Sequence, residues 1–166
     1  VDLDEFVIPT TLQDSLMAKL DRLGGSKIVA QQASTLGREF PYKLLRLVSA
    51  IDDSILDASL RSLIDGEGLQ ERGSIPDSTY TFRHALLQDA AYESQLFSSR
   101  RKFHAKIVRT FERNFPMRVA SEPELIAQHC AAANMQSEAV DYYHRAAELA
   151  ELRLANEEAS NHYEHA

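Results

Sequence analysis

The apolar positions of this chain fall into short helical stripes, interrupted once by an alternating stretch. Leu12, Leu16, Leu20 and Leu23 share one face of a helix expected over residues 8–25. Thr10 and Gln13 fit a capping box at its start, in which each side chain takes an otherwise unpartnered backbone donor. Gly24 and Gly25 stop it, since glycine adopts the left-handed conformation that ends a helix. Further helices are predicted over 27–36, ending at Gly37, and over 40–50, with Pro41 in the first turn. Another is predicted over 52–68, opened by an Asp cap and closed by Gly66 and Gly68. It turns Ile55, Leu56, Leu60, Leu63 and Ile64 inward.

The period then changes. LQER (69–72) and TYTFR (79–83) read as two strands, joined by GSIPDS, whose Gly, Pro, Asp and Ser are turn formers. From residue 84 onward the pattern is helical again, over 84–97, 100–115, 122–134, 137–152 and 156–166. Breaks are expected at Ser98-Ser99, around Pro116, and at Asn134 and Asn156. The fold class is therefore mainly α. Three helices followed by a β-hairpin is the order of a winged helix. After it, EAVDYYHRA (138–146) is echoed by EASNHYEHA (158–166), with Ala139 over Ala159, Tyr143 over Tyr163 and Ala146 over Ala166. Small residues alternating with Tyr let paired helices approach closely, as in antiparallel helical hairpins of a repeat array. Two ordinary amphipathic helices of a bundle produce the same echo.

Composition narrows the function classes. Hydrophobic residues make up 44%, enough for a packed core, and the net charge is −7, which disfavours unspecific attraction to nucleic acid or acidic membranes. The lone Cys130 has no internal disulfide partner; no signal peptide and no bilayer-length apolar run stands in the sequence. A soluble cytoplasmic protein without membrane partners is expected. The chain begins with Val1 and its last helical pattern runs into Ala166 without a cap, so a piece of a larger protein is also expected.

Candidate chemistry is sparse. LGGSK (23–27) resembles a phosphate loop only in composition: a helix precedes its glycines, and Lys27 follows Ser26 instead of preceding a hydroxyl residue. Of the six histidines, His129 and Cys130 point apart on their helix, and His162 with His165 makes only half a metal site; surface and groove histidines are the expectation. No G-x-S-x-G elbow is present, so no enzyme, catalytic residue or metal is assigned to this segment. A DNA-binding winged-helix regulator is the alternative. Its third helix would enter the major groove, yet that helix carries Asp52, Asp53, Asp57, Asp65 and nearby Glu67 against Arg61 alone. Lys102, Lys106, Arg109 and Arg113 form a basic stripe opposite Phe103, Ile107 and Phe111, read as a solvated face or an interface with an acidic domain.

IPTTLQDSLMAKLDRL, TLGREFPYKLL, SLIDGEGLQER and TYTFRHALLQDAAYESQLFSSRRKFHAKI together resemble one family segment. It follows the NTPase core in bacterial signal-transducing ATPases of the STAND class, and is most similar to those fused to class III adenylate or guanylate cyclase domains. The resemblance covers roughly residues 8–150. It implies a connecting helix from an ATPase core within residues 1–25, a winged helix at 26–98, and the start of tetratricopeptide-like repeats at 99–166. The echo is offset by 20 residues, whereas such units run to about 34, so the second unit departs from the pattern.

The resemblance also implies a switch: ATP or ADP bound in the ATPase core outside this segment, with the winged helix folded back on it. The partners implied are that core and further helical repeats; this segment itself holds no cofactor. His84, beside Arg83 at a strand-to-helix junction, is the position implied for a phosphate contact. A helix N-terminus favours neutral imidazole, which donates one hydrogen bond. Capping the helix, or packing on Tyr92, is the other role open to His84.

Overall fold

The computed structural model describes residues 24–164 with residues 15, 18, 21 and 22, and side chains as far as Leu154. Most of the helix expected over 8–25, with its capping box and leucine stripe, lies outside the described residues. Among the described residues the protein is mainly helical, with eight helices and one three-stranded antiparallel sheet. The chain divides into two compact units, residues 1–100 and 101–166.

The first unit runs α1 (Ser26–Leu36), β1 (Glu39–Pro41), α2 (Tyr42–Val48), α3 (Asp53–Asp65), β2 (Leu69–Arg72), β3 (Thr79–Phe82) and α4 (Ala85–Glu93). α5 (Phe97–Asn114) begins here and continues into the second unit. The strands lie in the order β1-β3-β2, with Leu69 opposite Phe82 and Phe40 opposite Tyr80. Alternation in β3 puts Tyr80 and Phe82 into the core and leaves Thr79 and Thr81 half-buried. Val29, Ala30 and Ala33 of α1 and Leu56, Leu60 and Leu63 of α3 complete that core.

The hairpin forms where the alternation predicts it; β1 was not expected. The sequence predicts a helix from residue 40 with Pro41 in its first turn, but Pro41 (φ −78°, ψ 143°) ends a strand, and α2 starts at Tyr42. Three residues are too few to display a period. What makes the strand is Phe40, fully buried with its ring 5.8 Å from Tyr80 and 6.1 Å from Phe82. Proline, lacking an N–H, is tolerated at such an edge.

α3 also ends differently from expectation. Neither flanking glycine is left-handed there; Glu67 is, at φ 56°. Gly68 N–H donates to the Leu63 carbonyl and Glu67 N–H to that of Ile64, a Schellman arrangement that satisfies the last carbonyls of the helix. Gly68 is required for space instead: a Cβ would stand 3.2 Å from Leu87 Cδ2 and 3.3 Å from the Leu63 carbonyl oxygen. Ile55, expected inward, is 55% exposed.

The second unit contains most of α5, then α6 (Pro116–Ser121), α7 (Pro123–Ala132) and α8 (Gln136–Glu164). Pro116 and Pro123 each open a helix, where the missing N–H costs nothing. Ile107, Val108 and Phe111 of α5, Ile126, Ala127 and Cys130 of α7, and Ala139 and Tyr142 of α8 are buried. α7 ends in a second Schellman arrangement, with Asn134 left-handed at φ 62° and Met135 N–H donating to the Cys130 carbonyl. α8 passes through Asn156, where a break was expected. Asparagine costs a helix only about 0.5 kcal/mol relative to alanine, which good helix formers on both sides offset. The two echoing segments, the second as far as Glu164, therefore lie on one helix of 29 residues and do not pair as successive helices.

Candidate functional site

Arg83 and His84 occupy the turn between β3 and α4. The incoming backbone is tied down by Arg83 N–H, which donates to the Gly68 carbonyl at 3.1 Å. His84 is extended (φ −124°, ψ 124°) and stands at the N-cap of α4; its carbonyl accepts from Leu87 N–H at 3.1 Å and Gln88 N–H at 3.3 Å. Its imidazole makes no capping bond to the helix. Arg83 Nε donates to the Leu69 carbonyl at 3.3 Å, while both side chains are exposed.

α4 then holds the junction in place. Leu87, Ala90 and Ala91 are buried and Leu86 is half-buried, as the helical spacing predicts, and Asp89 and Glu93 face water. Gln88 is half-buried and donates to the Ser34 carbonyl at 3.4 Å. Tyr92 carries the Arg100 guanidinium 4.4 Å from its ring centre. An imidazole, a guanidinium and the first N–H groups of a helix all offer donors, and α4 has no acidic residue in its first turn. Such a turn suits an anion presented from outside. It pairs no nucleophile with a base.

A second cluster lies in the second unit and was missed from the sequence. His104 of α5 and His129 of α7 are 6% and 7% exposed, with Nδ1 facing Nδ1 at 2.9 Å. One ring must donate and the other accept. The His129 ring is also stacked near Phe111, with centres 6.4 Å apart. Burial, and then the neighbouring His104, push His129 down to about 4 from its usual 6.5. The signal was present: His104 shares a face with Ile107, Val108 and Phe111, as His129 does with Ile126. His104 and His129 are core residues and not the surface or groove histidines expected, because that phase puts them on the apolar faces.

Buried hydroxyls of both units are tied to carboxylates, whereas the Gln32 side-chain oxygen is buried without a hydrogen-bond partner. Tyr42 Oη donates to Asp57 at 2.7 Å, and burial with that carboxylate pushes the phenol up to about 12. Tyr80 Oη at 2.9 Å and Ser78 Oγ at 2.7 Å both donate to Glu71. In the second unit Tyr142 Oη donates to Glu112 at 2.9 Å. Burial, with Glu112 and Glu138 adding, raises the Cys130 thiol to about 11, so it stays protonated and unreactive at neutral pH. Among the described residues no group of three or more His, Cys, Asp or Glu converges as a metal site. No helix among them is long and apolar enough to cross a membrane.

The acidic residues expected on α3 are exposed in the main. Asp52, Asp53, Asp65 and Glu67 face water, and Asp57 is half-buried against Tyr42. Arg46 neutralises Asp53 through two bonds of 2.9 and 2.6 Å. The basic stripe on α5 is equally distinct: Lys102, Arg109 and Arg113 are exposed and Lys106 half-buried.

Comparison with known proteins adds little chemistry. No family model matches this chain, and no solved structure matches it. An uncharacterized protein of Rhizobium meliloti (strain 1021) is 28% identical over 159 residues. The match takes in 95% of this chain, and the chain spans about 15% of the length of that relative.

Proposed function

We propose that this chain is a non-catalytic regulatory and interaction segment of a larger signal-transduction ATPase or nucleotide cyclase. In this reading residues 26–98 act as a winged helix and residues 99–166 open a tetratricopeptide-like helical array. The observation that carries it is the succession helix, strand, helix, helix, strand, strand with sheet order β1-β3-β2, followed by helices alone. That succession falls on the motifs that resemble STAND ATPases. A relative of which the chain spans about 15% supports a place within a long protein.

The work of the segment is to relay nucleotide state. ADP held by the ATPase core meets the Arg83–His84 turn through its phosphates, and exchange to ATP releases the turn. Exposed side-chain donors at the start of α4 support that role for His84 and Arg83. A hydrogen bond to a charged phosphate contributes about 1.5–3 kcal/mol. His84→Ala in the full-length protein should therefore weaken ADP binding about tenfold or more and raise basal output. Unchanged ADP affinity and unchanged output would remove His84 from the switch. Duplex DNA tests the segment itself. Steep, salt-sensitive binding by this chain would replace the relay with a DNA-binding regulator, against the exposed carboxylates of α3.

A further inference from the structure

The second unit carries two helix faces whose charges are opposite and unpaired. On α5, Lys102, Lys106, Arg109 and Arg113 lie within an arc of about 60° over about 16 Å of helix. On α8, the exposed Asp141, Glu148 and Glu151 lie within an arc of about 80° over about 15 Å. None of these seven residues forms an ion pair among the described residues. Elsewhere the protein pairs opposite charges that come within reach, as Arg118 does with Glu122 and Arg46 with Asp53. The two stripes do not neutralise each other within one copy. There, α5 meets α8 through Glu112 and the Tyr142 hydroxyl, which lie outside both stripes.

From this complementarity we infer that a second copy of this chain docks on the α5 stripe, laying the acidic stripe of its α8 along the four cations. The lengths match to within a residue, so Asp141, Glu148 and Glu151 reach three of the four cations without bending either helix. Leu152, 62% exposed, borders the acidic arc and adds an apolar contact, and the exposed His144 lies within it. Arg145 borders that arc but is engaged 5.0 Å over the Tyr142 ring. Each copy carries both stripes, which allows the contact to be made twice in a closed dimer. Nucleic acid is the competing occupant of a cationic stripe; the net charge of −7 and the matching acidic stripe favour the second copy. This inference is independent of the nucleotide relay.

Sedimentation of the whole chain tests it. Self-association should weaken at least tenfold between about 0.1 M and about 1 M salt, as the screening length falls from about 10 Å to about 3 Å. Reversing α5 (Lys102→Glu, Arg109→Glu, Arg113→Glu) should give a monomer, as should reversing α8 (Asp141→Lys, Glu148→Lys, Glu151→Lys). Mixing the two reversed variants should restore association, because each then offers the charge that the other lacks. Circular dichroism identical to the parent chain establishes that both variants fold. Two monomeric variants that stay apart on mixing overturn the inference, as does a parent chain that is monomeric in low salt. Tight, salt-sensitive DNA binding through the α5 cations without self-association overturns it in favour of nucleic acid.

Discussion

Both units tie tyrosines to carboxylates, but the second also buries an imidazole pair, and that difference sets how each responds to its surroundings. The first places tyrosines in its aromatic core and ties each to a carboxylate: Tyr42 to Asp57 and Tyr80 to Glu71. The second buries an imidazole pair, His104 against His129, among aliphatic and aromatic side chains. Burial disfavours the charged form in both cases. For the tyrosines this moves the phenols further above neutral, so they keep the form they already have. For His129 it moves a group that would otherwise charge in mildly acid water. One physical effect is silent in the first unit and pH-dependent in the second.

Removing an aromatic from the first core should have the largest effect. Phe82, fully buried against Phe40, should cost about 4 kcal/mol when truncated to alanine, from lost burial and the cavity left behind. Hydrogen exchange should then rise across α1 and α3 while α7 keeps its protection. An equal rise in both units would mean that they unfold as one block.

Acid provides the next largest effect. His129 titrates near 4 when folded and near 6.5 when unfolded, so the unfolded chain takes up the proton first as pH falls. The stabilisation from keeping His129 neutral is present in full above pH 6.5. It is lost between pH 6.5 and about 4, and amounts to about 3 kcal/mol. Urea unfolding of the second unit across that range, compared with His129→Gln, isolates it: the variant should lack this part of the pH dependence. Parallel pH profiles would assign the acid sensitivity to other groups.

The smallest effect separates two helix ends of the same geometry. Glu67 and Asn134 both stand in the left-handed region, at φ 56° and 62°. Glutamate carries the strain of Cβ against the following carbonyl in full, whereas asparagine visits this region readily. Glu67→Gly should raise stability by about 1 kcal/mol, and Asn134→Gly should gain less. Thermal melts that rank the two gains in reverse would show that something beyond the backbone holds Glu67.

Much of this molecule is readable in short windows of sequence. The apolar spacing of Leu56, Leu60 and Leu63 marks α3, the alternation through Thr79, Tyr80, Thr81 and Phe82 marks β3, and Gly, Pro, Asp and Ser mark the hairpin loop. The setting of His84, at the first cap of a helix leaving a strand, is legible in the same way. These features depend on a few neighbouring residues, whose steric and hydrogen-bonding preferences act locally.

By itself, then, the sequence determined a mainly helical chain with one hairpin and a polar junction at Arg83 and His84. The tertiary structure decided what depends on distant partners. Phe40 becomes a strand residue because Tyr80 and Phe82 receive it, 40 and 42 positions later. Gly68 is needed for space because Leu87 crosses it, and Glu67 takes the left-handed turn beside it. His104 and His129 become a buried pair because α5 and α7 bring together rings 25 residues apart. Local periodicity states which face of an element is apolar. Only packing decides what meets that face, and with it which polar group loses its water.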